Sequence, residues 1–132
     1  MKITADANII LRALVEDDKI QTPIAKRVLE EADLVALTLP ALCEFVWVML
    51  KGYKESHERI AAAIRTLIAA GNTEADVAAV EAGLAFLDAG GDFADGVIAH
   101  EGRWLGGETF VSFDENAVKL VQGNGEKARV PA

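Results

Sequence analysis

Apolar side chains recur at helical spacing along most of the chain, and short β-branched or continuous apolar runs interrupt them. Residues 2–5 hold Ile3 and Thr4 and stop at Asp6, which predicts a strand. Residues 8–15 place Ile9, Ile10, Ala13 and Leu14 at helical intervals, with Arg12 turned outward, before Glu16-Asp17-Asp18 breaks the pattern. A second helix is predicted over 22–32, with Pro23 tolerated in its first turn and Ile24, Val28 and Leu29 on its buried face. Residues 34–37 are an apolar run short enough for a buried strand. A third helix follows from Thr38-Leu39-Pro40 to about Leu50, and a fourth runs from a Ser56 cap to Ala70. Residues 72–74 suit a short strand. Helices over 75–89 and 92–105 end at Gly90-Gly91 and Gly106-Gly107. Residues 109–113 alternate as a strand does, 115–122 form a last helix, and the polar tail 123–132 is expected to be loose.

Strands alternating with helices predict an α/β fold, a three-layer α/β/α sandwich with a central parallel sheet. With 132 residues, 52% of them hydrophobic, the chain suits a single domain (1–132) with a buried core. Apolar runs are too short to cross a bilayer, a secretory signal is not expected, and one cysteine, Cys43, cannot form an internal disulfide. These features suit a cytoplasmic protein without membrane partners. The net charge of −8 argues against binding nucleic acid by bulk charge. A carboxylate site that takes up a divalent cation changes that inference, because the ion neutralises the acids locally.

Ligands of parallel α/β sheets bind beyond the carboxyl ends of the strands, which directs attention to Asp6 after the first strand and Asp114 after the last. Each also suits a helix N-cap. Glu44 stands amid the apolar run Leu39–Leu50, so its helix is expected to be buried and its carboxylate to need a metal or a salt bridge, with Arg12 as the alternative partner. Asp92 and Asp95 open the helix after Gly90-Gly91. Asp92 reads better as a cap than as a ligand, and Ala99 and Gly102 leave room along the Asp95 face. Asn8 either orients Asp6 or starts the helix, and Ser112 either serves a metal-bound water near Asp114 or pairs within the strand. Gathered carboxylates suit the hard cations Mg²⁺ or Mn²⁺ and phosphodiester hydrolysis. His57 and His100 lack zinc-ligand spacing, and no Walker-type loop or nucleophile elbow is present.

Asp6-Ala7-Asn8, Glu44, the segment Asp92-Phe93-Ala94-Asp95-Gly96-Val97-Ile98-Ala99, and Ser112-Phe113-Asp114, in this order, resemble the PIN-domain family, and the length resembles its VapC toxin branch. The resemblance spans nearly the whole chain. It implies an Mg²⁺- or Mn²⁺-dependent endoribonuclease with Asp6, Glu44, Asp95 and Asp114 as the catalytic metal ligands, and Asn8, Asp92 and Ser112 in support. It further implies a homodimer inhibited by a VapB-type antitoxin. Ala7 departs from the family pattern, which often has threonine there.

Arg12 and Lys51 flank the acidic segments and are the first choices for RNA phosphate contacts, ahead of Lys54, Arg59, Arg65 and Arg103. Trp47 and Trp104 suit core or dimer-interface positions better than base stacking. Three other readings compete. A non-catalytic PIN-like RNA-binding module would lack some of the acids. A receiver-like Mg²⁺-binding signalling domain needs a lysine after the last strand. A haloacid-dehalogenase-type phosphatase needs a second aspartate where Asn8 stands.

Overall fold

A computed structural model describes residues 1–132. The chain is α/β, with seven helices, five short strands and two compact units, Met1–Asp76 and Val77–Ala132. No helix is long and apolar enough to cross a membrane.

The first unit begins with β1 (Lys2–Thr4) and α1 (Ala7–Leu14), continues through α2 (Gln21–Glu31) and β2 (Leu34–Ala36), and ends with α3 (Leu39–Lys51), α4 (His57–Ala69) and β3 (Thr73–Glu74). Its three strands form one parallel sheet in the order β1-β2-β3, in a register that pairs Ile3 with Val35 and Val35 with Thr73. Local signals fix the helix starts. Thr38 Oγ1 accepts from the Ala41 backbone N–H at 3.3 Å, and Ser56 Oγ accepts from that of Arg59 at 3.2 Å. Pro40 occupies the first turn of α3, where its missing N–H breaks no helical bond. Ile10, Leu42, Phe45, Val46, Ile60 and Ile64 are fully or almost fully buried. Burying each such side chain stabilises the unit by about 1.5–3 kcal/mol before chain entropy is counted.

Two expectations about helix faces fail in this unit. Ile24 and Val28 are exposed, and the inward face of α2 is Thr22 and Ala25, with Leu29 half-buried. The phase of α2 is turned by about one residue, roughly 100°. Small inward residues let α2 lie close to α1, and the Thr22 hydroxyl donates to the Val15 carbonyl at 3.4 Å. Glu44 is likewise exposed rather than buried. Helix α3 keeps one narrow outward stripe, Pro40, Glu44, Trp47 and Lys51, at intervals of four, three and four. Reading Trp47 as an inward apolar residue hides that stripe in the sequence.

The second unit contains α5 (Val77–Asp88), α6 (Phe93–Trp104), β4 (Thr109–Val111), α7 (Glu115–Gly123) and β5 (Lys127–Arg129). Helices α5 and α6 pack closely because both carry glycine at the contact. A β-carbon on Gly83 would fall 2.6 Å from the Phe93 ring, and one on Gly96 would fall on the Ala82 carbonyl and 2.9 Å from Gly83 Cα. Val80, Leu84, Leu87, Phe93, Val97 and Val121 fill the core. The C-terminal segment is not a loose tail, since β5 pairs in parallel with β4, Phe110 opposite Ala128. Gln122 Nε2 also donates to the Ala128 carbonyl at 2.9 Å, and Arg103 pairs with Glu126. The strands therefore form a three-stranded and a two-stranded parallel sheet, where the sequence predicts one central sheet.

Candidate metal-binding and nuclease site

The acids singled out in the sequence fall on both units. Asp6, Asn8 and Glu44 are in the first, and Asp92, Asp95, Ser112 and Asp114 are in the second.

In the first unit, Asp6 holds the N-cap position of α1, yet its side chain makes no capping bond and is exposed. Capping therefore does not account for an aspartate here. Asn8 lies in the first turn of α1 and makes no hydrogen bond to Asp6. Its exposed side chain instead helps line a shallow groove with Ile9, Arg12 and Ile24. Glu44 forms no ion pair. The alternative partner, Arg12, is engaged elsewhere: Nε donates to Gln21 Oε1 at 2.8 Å, and Nη1 lies 3.4 Å from Asp17 Oδ1. Asp17 also accepts from the Tyr53 hydroxyl at 3.1 Å, which ties the α1–α2 loop to the turn after α3. Lys51 is exposed at the end of α3.

The second unit places three of the acids at two helix starts. Gly90 has φ +82°, a left-handed conformation that lets the chain turn sharply out of α5. Gly91 is buried where a β-carbon would collide with the Leu120 side chain. This glycine pair sets the start of α6, where Asp92 Oδ1 accepts from the Ala94 backbone N–H at 3.1 Å. Asp92 thus caps, as its sequence position predicts. Asp95 sits three residues on, half-buried, in the first turn of α6. Asp114 caps α7 through Oδ1, which accepts from the Ala117 N–H at 3.1 Å. Ser112 Oγ accepts from the Asp114 backbone N–H at 3.0 Å and so fixes the turn that presents this aspartate.

Asp95 senses the other two acids. Burial pushes the Asp95 carboxyl above the usual aspartate range, and the negative charges of Asp92 and Asp114 push it further. The helix N-terminus beneath Asp95 favours its anion, so desolvation and like charge outweigh the dipole. A cation placed among these oxygens would reverse the like-charge part of that penalty.

The donors are of the hard-oxygen type that Mg²⁺ and Mn²⁺ select. The side chains are not, however, drawn together into any group of three or more His, Cys, Asp or Glu able to hold a metal ion. Of the other cations considered for phosphate contact, Arg103 is paired with Glu126 and Arg59 lies 3.7 Å from Glu55. Both tryptophans are exposed, Trp47 by 62% and Trp104 by 81%, so neither is core. Trp104 Nε1 donates to His100 Nε2 at 3.1 Å, one turn back along α6. Sequence reasoning missed this pair, although its spacing of four was visible.

One and two turns along α6 from Asp95, the small residues Ala99 and Gly102 leave space. With Ile98, Phe110 and Val111 they border a cavity of about 180 Å³ between α6 and the β4–β5 ribbon. No protein-family model matches the chain, and no curated protein matches it.

Proposed function

We propose that the protein is a divalent-metal-dependent endoribonuclease of the PIN type, acting as the toxin of a VapBC pair. One observation carries this reading. Asp95 lies half-buried in the first turn of α6, three residues after the capping Asp92, and burial together with the charges of Asp92 and Asp114 opposes its ionisation, a penalty that a cation would relieve. The order of the motifs along the chain, the α/β succession of elements and the parallel pairing of every strand support the PIN-like sandwich as the fold.

Asp95 and Asp114 would hold the metal on the second unit, with Asp92 adding charge. Asp6 and Glu44 are the corresponding acids of the first unit, and neither is committed to another partner. A bound Mg²⁺ or Mn²⁺ would neutralise phosphate charge and make a water more acidic. The capping bond on Asp114 holds its carboxylate in a fixed orientation. The half-burial of Asp95 limits water around it and strengthens its pull on a cation. A VapB-type antitoxin and a second copy of the chain are the expected partners.

The test is incubation of the purified protein with structured RNA in Mn²⁺, in Mg²⁺ and in EDTA. Cleavage that requires the metal and disappears in Asp95→Asn supports the reading, and intact RNA in every lane removes it. The lack of an assembled three-ligand group favours a second reading, a non-catalytic RNA-binding module. That reading predicts gel-shifted but uncut RNA. Expression without the antitoxin should arrest growth, and normal growth with abundant soluble protein would remove the toxin role.

A further inference from the structure

The outward stripe of α3 contains one large side chain that the fold does not explain. Trp47 is 62% exposed, and its neighbours on the stripe are Glu44 before it and Lys51 after it. The only other apolar member of the stripe is Pro40, two turns back at the start of α3. Protein interfaces surround an aromatic anchor with further apolar surface that excludes water. A solitary ring between an anion and a cation suits a smaller, flat and charged ligand better.

The spacing sets the ligand. At 1.5 Å rise per residue, Glu44 and Lys51 lie about 4.5 Å and 6 Å from Trp47 along the axis, on opposite sides. The lysine ammonium extends that reach on a flexible four-carbon stem. The surroundings are also less acidic than the chain as a whole. From Glu44 to Arg59, Lys51, Lys54 and Arg59 balance Glu44, Glu55 and Glu58, while the whole chain carries −8. A nucleotide offers the matching chemistry, a π-face for the indole and a phosphate for the ammonium.

We propose that Trp47 stacks on an unpaired base of the RNA, with Lys51 holding a phosphate of the same stretch, so that the enzyme selects a single-stranded nucleotide one helical turn from Glu44. This inference rests on the nuclease reading above, and it adds a residue that determines substrate choice. Paired bases keep their faces stacked and cannot offer one to the indole.

The experiment uses the full chain and a short unstructured oligoribonucleotide. In a Trp104→Phe background all indole emission comes from Trp47, so titration in EDTA, where no cleavage occurs, reads stacking directly. We expect saturable quenching with the oligoribonucleotide and none with a fully paired duplex at the same concentration. In Mn²⁺, Trp47→Ala should raise KM by about fivefold to a hundredfold, the range of base–aromatic stacking, with kcat little changed. Trp47→Phe should recover most of that loss, and Lys51→Ala should lower the salt dependence of binding by about one phosphate contact.

Metal-dependent cleavage with unchanged KM in Trp47→Ala would overturn the inference and leave the nuclease reading intact. A dimer that falls to monomers in Trp47→Ala at unchanged KM would assign the ring to self-association instead. Quenching by single strands without cleavage in any metal would support the stacking platform and remove the nuclease. Neither quenching nor cleavage would remove both.

Discussion

Helix α6 carries two glycines that should respond in opposite directions to the same substitution. Gly96 is buried against α5, where an added β-carbon would meet the Ala82 carbonyl and lie 2.9 Å from Gly83 Cα. Both obstacles are backbone, so no side-chain rotation relieves them. Gly102 is six residues on, and a β-carbon there meets nothing within 4 Å. Alanine is favoured over glycine inside a helix by about 1 kcal/mol. Gly102→Ala should therefore stabilise the protein by about 0.5–1 kcal/mol. At Gly96 the same gain is set against overpacking of about 1–3 kcal/mol or more, and the rigid obstacle places it at the upper end. Gly96→Ala should lose about 2 kcal/mol net. Urea denaturation followed by far-ultraviolet circular dichroism measures both from the shift in midpoint at constant slope. Equal stabilisation by the two alanines would refute the close α5–α6 approach, and with it the account of how Asp95, the residue before Gly96, is placed.

Asp95→Asn should stabilise the metal-free protein at neutral pH. Its carboxyl is raised in the folded state, so folding opposes ionisation. The penalty is absent below the unfolded aspartate value of about 4, grows as pH rises through the folded value, and is constant above it. Thermal melts in EDTA at pH 7 and pH 3 should therefore show an Asn advantage only at the higher pH, and an equal advantage at both would refute the assignment. Asp6→Ala should change stability by no more than about 0.5 kcal/mol, because the side chain makes no capping bond, while abolishing RNA cleavage. A loss near 1 kcal/mol in urea would point to a cap instead. Glu44→Gln should likewise leave stability within about 0.5 kcal/mol and weaken Mn²⁺ binding by calorimetry, and a marked loss of stability would restore a buried ion-pair role.

Helix and strand positions were legible because their punctuation is local. Thr38, Ser56, Asp92 and Asp114 announce helix starts through side chains that reach only two or three residues along the chain. Burial was less legible because it depends on which neighbour a helix meets. In α2, Thr22 and Ala25 face inward because small residues allow close packing, while the larger Ile24 and Val28 stay outside. Glu44 misled for a related reason, since four residues, Pro40, Glu44, Trp47 and Lys51, suffice to make the solvent face of a thirteen-residue helix that is otherwise apolar. The strand β5 escaped notice because Lys127-Ala128-Arg129 has little strand character of its own and is held by the ladder to β4. The electrostatic coupling of Asp95 to Asp92 and Asp114 depends on two helix starts separated in sequence, which no spacing rule reveals.

Asp114 has two occupations at once, since the oxygen that begins α7 belongs to the same carboxylate whose charge Asp95 feels. Alanine here would remove anchor and anion together, and any lost activity could arise from an unravelled first turn. Asparagine retains the carbonyl that greets the Ala117 amide and discards only the charge. For this position, then, the amide is the replacement that separates the residue's part in building the helix from the cation-binding part proposed for it.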